Sequence, residues 1–97
     1  MTKKIRTKVF DPAKYLKSEE DVIAYLDEAM QENDPAHIAR ALGDVARSEG
    51  MTEISRRTGL GRQALYKALS GQGNPTLETV TAIIQSLGLR LSVQKAA

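Results

Sequence analysis

The sequence predicts an all-α domain of five helices, with an extended N-terminal arm before it and a short C-terminal strand after it. Three observations carry this. Apolar residues recur at helical spacing over 18–32, 34–50 and 76–88. Each of these segments opens on a residue suited to cap a helix: Ser18, Asp34 and Thr76. The last apolar residues, Leu89, Leu91 and Val93, instead alternate with Arg90, Ser92 and Gln94, the period of a strand. With 97 residues the chain is sized for one domain, divided here into an arm, 1–17, and a folded unit, 18–97.

The arm carries Ile5, Val9, Phe10, Tyr15 and Leu16 without a helical period, and Asp11-Pro12 interrupts it. Helix 1 follows Ser18, with Glu19, Glu20 and Asp21 in the first turn, where the helix dipole favours acids. Its stripe is Val22, Ile23, Leu26, Ala29 and Met30. Asp34 caps helix 2, and Pro35 suits the first helical position, where an N–H has no partner to lose. Ile38, Ala39, Leu42, Val45 and Ala46 form its buried stripe, and Gly50 ends it. Two short helices are expected at 52–58 and 61–70, then a loop over 71–75. Helix 5 follows Thr76 and carries Leu77, Val80, Ile83, Ile84 and Leu87 as far as Gly88.

Composition narrows the function. The chain has no cysteine, which excludes disulfides and thiolate metal sites. No apolar run approaches the ~20 residues that span a bilayer, and no apolar stretch follows the basic N-terminus as in a signal peptide. A cytoplasmic protein is therefore expected. His37 is the only histidine, so a histidine-based triad or metal cluster is not expected. Neighbouring acids such as Asp27 and Glu28 point apart on a helix. Gly71 to Gly73 has neither the preceding strand nor the following lysine of a phosphate-binding loop. No enzymatic activity, metal or cofactor is expected. The net charge of +2 hides segregation: 1–17 holds six bases against one acid, 18–49 nine acids against two bases, and 50–97 six bases against two acids.

The informative stretch is MTEISRRTGLGRQALYKALSG at 51–71. Two short helices that cross steeply need apolar contacts at fixed places, supplied by Ile54, Leu60, Leu65 and Ala68 or Leu69. Ser55 is small where the helices approach, and Gly59 stands where the turn needs positive φ. This spacing resembles the helix-turn-helix of the lambda-repressor and Cro-like family, with Ser55 in place of the usual alanine and Thr58 more polar than usual. The resemblance implies double-stranded DNA as partner, with the start of the second helix against base edges. Arg62, Gln63, Tyr66 and Lys67 then face the groove. Arginine can pair with guanine and glutamine with adenine through two hydrogen bonds each. Arg56, Arg57, Gln72 and Asn74 are candidates for phosphate contacts. A homodimer on a palindrome would multiply a short readout. Its surface is expected at Ile84, Leu87, Leu89, Leu91 and Val93.

A second resemblance spans most of the chain. The pieces FDPAKYL at 10–16, NDP at 33–35, ALGDVAR at 41–47, GM at 50–51, GLGR at 59–62, LYKALS at 65–70, GNP at 73–75 and LGL at 87–89 occur in order. Together they resemble the addiction-module antidote proteins, the antitoxins of one type II toxin–antitoxin class. What the resemblance implies is a small toxin partner of RelE/ParE type, neutralised by this chain, and repression of the shared operon. Val9, Phe10, Tyr15 and Leu16 are then candidate toxin anchors; equally, a chain with four aromatics could pack them on its own helices. Two other readings stay open. One is a Cro-like repressor without a toxin, and the other a protein-interaction module with only salt-sensitive, sequence-independent attraction to DNA.

Overall fold

The computed structural model describes residues 16–70 and 73–96. Among them are five helices: α1 (Glu19–Gln31), α2 (Pro35–Glu49), α3 (Met51–Thr58), α4 (Arg62–Ala68) and α5 (Leu77–Ser86). The expected caps form. Ser18 and Asp21 make a reciprocal capping box at α1. Asp34 accepts from the Ala36 N–H with Pro35 in the first turn of α2, and Thr76 accepts from the Thr79 N–H at α5.

α1 packs against α2, α2 against α3, and α3 against both α4 and α5. α3 is thus the hub, with Ile54 fully buried among Leu42, Val45, Leu65 and Ile83. α2 lines the centre with small residues (Ala39, Ala41, Gly43 and Ala46), which let its neighbours approach closely. The Tyr25 hydroxyl donates to Asp44, whose other oxygen accepts from Arg47 at 2.8 Å, tying α1 to α2 at the margin of the core. No buried polar residue interrupts the apolar centre among the described residues.

Three expectations need adjustment. No strand exists among the described residues, and 89–96 carries no regular structure. A strand requires a partner for its backbone ladder, and none lies among the described residues. α4 stops at Ala68, two residues early, because Leu69 leaves helical geometry (φ −96°, ψ 5°) to turn the chain away. Ile84 is only 4% exposed and belongs to the core of a single chain. Leu87 and Leu89 are half-buried against that core, so of the expected dimer residues only Leu91 and Val93 are exposed.

Candidate nucleic-acid interface

The path from α3 to α4 is a short turn held by two hydroxyls. Gly59 adopts the left-handed conformation (φ 79°, ψ 3°) that the turn requires, and its N–H closes α3 on the Ser55 carbonyl at 2.9 Å. Ser55 Oγ donates across the turn to the Leu60 carbonyl. Thr58 Oγ1 donates to the Ile54 carbonyl at 2.8 Å and accepts from the Leu60 N–H at 3.1 Å. Both carbonyl and N–H of Leu60 are thereby satisfied, and its half-buried side chain packs against the core. The polar Thr58, a departure from the usual apolar residue, stitches the turn. Its role was hidden in the sequence because a hydroxyl at that place reads equally as a solvated surface group.

α4 has seven residues and no side-chain cap, so its own sequence gives it little helical stability. Burial holds it in place. Leu65 is 0% exposed and Leu69 nearly so. At 3.6 residues per turn, Arg62, Gln63, Tyr66 and Lys67 share an arc of about 140° on the side away from Leu65, and all four are exposed. The Arg62 guanidinium lies over the Tyr66 ring, 6.0 Å from its centroid, at the reach of a cation–π contact. Among the described residues no ion pair engages Arg62 or Lys67. Among the described residues this face is basic and unneutralised.

The bases on α3 stand differently. Glu53 accepts from Arg56 through both carboxylate oxygens and from Arg57 Nε at 2.9 Å. Hydrogen bonds from Arg56 first, then Arg57, hold the Glu53 carboxyl down at about 2 from an ordinary 4.5, and the same contact raises Arg56. Arg57 also donates to the Ser86 carbonyl at 3.0 Å and lies 3.8 Å from Glu49, so it clips α3 to the ends of α5 and α2. Arg56 keeps 70% of its side chain exposed. Of the two, only Arg56 remains available to an outside partner without breaking contacts between helices. The signal for this was present as acid and bases at i, i+3 and i+4.

Beyond α4, Asn74 is exposed, and Gln72 lies outside the described residues. Gly73 returns against the last turn of α4, so close that an added Cβ would stand 2.3 Å from the Lys67 carbonyl oxygen and 2.5 Å from that of Ala68. Of the arm, Val9, Phe10 and Tyr15 also lie outside the described residues, whereas Leu16 packs half-buried against the core beside Val22, Leu87 and Leu89. Among the described residues no cluster of His, Asp and Glu is placed to hold a metal, and no helix is long and apolar enough to cross a membrane.

Comparison with known proteins agrees with the longer of the two sequence resemblances. A family model described as a probable addiction module antidote protein matches residues 6–95. An uncharacterized protein of Haemophilus influenzae is 47% identical over 89 residues, covering 92% of each chain. No solved structure gives a significant match.

Proposed function

The chain belongs to the family of probable addiction module antidote proteins, and from that premise we propose that it is the antitoxin of a type II toxin–antitoxin module, working in the cytoplasm. As a homodimer it binds palindromic double-stranded DNA through α3 and α4 and represses its own operon. Through its N-terminal arm it binds and neutralises a small toxin of RelE/ParE type. Its action is by binding, with no catalytic step of its own.

One observation carries the DNA half: the exposed basic face of α4, without an ion pair among the described residues, on a helix fixed from behind by Leu65 and from the side by the Ser55–Thr58–Gly59 turn. In the major groove, Arg62 can offer two donors to guanine O6 and N7, and Gln63 a donor and an acceptor to adenine N7 and N6. Tyr66 and Lys67 fall further along the groove, toward phosphates. Arg56, Gln72 and Asn74 suit backbone contacts, which position the protein without reading sequence. Arg57 contributes by holding α3 in place. The toxin half rests on the family and on the arm, where Val9, Phe10 and Tyr15 add bulky anchors next to Leu16.

Gel-shift titration at fixed salt tests the first half, with DNA from upstream of the gene against a scrambled duplex. Preference for the upstream duplex by about a thousandfold or more, on the order of specific recognition, is expected. Equal affinity would reduce the reading to nonspecific attraction. Calorimetry against the product of the neighbouring reading frame, with the full chain and with 1–17 deleted, tests the second. Undiminished toxin affinity after the deletion would remove the arm from the interface.

A further inference from the structure

We propose that the C-terminal tails of two copies pair antiparallel about a twofold axis at Leu91, forming a two-stranded ribbon that is the heart of the dimer. The proposal deepens the homodimer reading above and rests on it.

The tail leaves α5 through Leu87 and Gly88, and the Leu89 N–H returns to the Ile84 carbonyl at 3.1 Å, which fixes where it starts. From Leu89 onward it alternates apolar and polar residues, yet has no ladder partner among the described residues. Its apolar row is progressively uncovered: Leu89 is half-buried on the core, Leu91 is 41% exposed and Val93 is 97% exposed. A second copy running the opposite way corrects that gradient. Its Leu89, seated on its own core, falls across from the bare Val93, Leu91 meets Leu91, and each covered end shelters the other's uncovered one.

The register follows from the same residues. Side chains alternate between faces, so a slip of one would set the apolar row of one tail against the polar row of the other. Moving the axis to Arg90 would place the two Arg90 side chains directly opposite each other, a destabilising like-charge pair. Moving it to Ser92 would set Leu89 against Lys95. With the axis at Leu91, all three apolar residues meet apolar residues and Arg90 faces Ser92.

The chain has no cysteine, so engineered thiols report without interference. Directly opposed residues of an antiparallel pair have Cα atoms about 4.5–5.5 Å apart, within the range of a disulfide. Residue 95 would lie about 27 Å from its copy at 3.4 Å per residue. Full-length Leu91→Cys should therefore form a covalent dimer under mild oxidation at least about tenfold faster than Lys95→Cys, as read on non-reducing gels. A mixture of Leu89→Cys and Val93→Cys should cross-link to each other, which tests the register by a second route, while circular dichroism confirms retained helix. If sedimentation shows a dimer in which residue 91 cross-links no faster than residue 95 and the mixed pair fails, the ribbon is wrong and the dimer forms elsewhere. If the chain sediments as a monomer at all concentrations, the homodimer reading falls and the ribbon with it.

Discussion

α1 and α4 present opposite charge and are stabilised by opposite means. α1 is finished by its own sequence: thirteen residues, a reciprocal capping box, and acids in its first turn. α4 has seven residues, no side-chain cap, and a basic face that no ion pair engages among the described residues. It persists because Leu65 is buried and because the preceding turn is stitched by Ser55 and Thr58. A short helix can thus be held from behind and from its preceding turn while its outward side chains are left to face solvent. Among the described residues the groups that hold α4 point inward or lie on the turn, and none of its polar side chains enters an ion pair. In α1, by contrast, Ser18 and Asp21 are engaged in holding the helix end.

The anchoring of α4 is most vulnerable at Leu65. Leu65→Ala should cost ~2–5 kcal/mol, a large part of the stability of so small a domain, and urea unfolding should show it. A loss below that range would mean that α4 is not held by its buried face. Next come Arg62→Ala and Gln63→Ala, each expected to weaken operator binding by ~1–3 kcal/mol while leaving the melting midpoint in place. Loss of affinity on a scrambled duplex by the same factor would make them phosphate contacts instead. On the other side, Ser18→Ala should cost ~1 kcal/mol of stability, or roughly 4–8 °C in midpoint for a domain this size, with operator affinity unchanged. An unaltered midpoint would mean that α1 does not depend on its cap.

The smallest effect belongs to Glu53, part-exposed at the surface and screened by salt. Its carboxyl binds a proton less readily in the folded chain than in the unfolded one, at about 2 against 4.5. The stabilisation it gives is therefore complete above about pH 4.5 and is lost as pH falls toward 2. Wild type should melt slightly above Glu53→Gln at pH 7, and the gap should close across that window. A gap of constant size down to pH 2 would show that the carboxylate's charge is not its source.

What the sequence made legible were features with local causes. Ser18, Asp34 and Thr76 cap because a hydroxyl or carboxylate before an amphipathic run has one obvious use, and Gly59 turns because a left-handed residue is needed there. Leu65 was legible as a contact because its spacing from Leu60 and Ile54 fits a crossing of two helices. Less legible were features that depend on what lies across from a residue. Ile84 shares its helical stripe with Leu77 and Leu87, and only the placement of α3 decides that Ile84 is inside. Arg57 reads as one more surface base until the Ser86 carbonyl, 29 residues away, is brought to it. The period of two at 89–93 states a capacity for pairing, and no partner for it lies among the described residues of one chain.

The return of the chain over the end of α4 has a consequence for how this sequence can vary. At position 73 the obstruction to a side chain is backbone, the carbonyls of Lys67 and Ala68, and backbone inside a helix cannot swing aside as a flexible side chain can. Even one methyl group would force the last turn of α4 to open. A library randomised at 73 and selected for folded protein should return glycine almost alone, whereas one randomised at the exposed Asn74 should return most of the alphabet. Unless selection also acts on an outside partner, the two adjacent positions would then have sharply different histories, one frozen by geometry and the other open to drift.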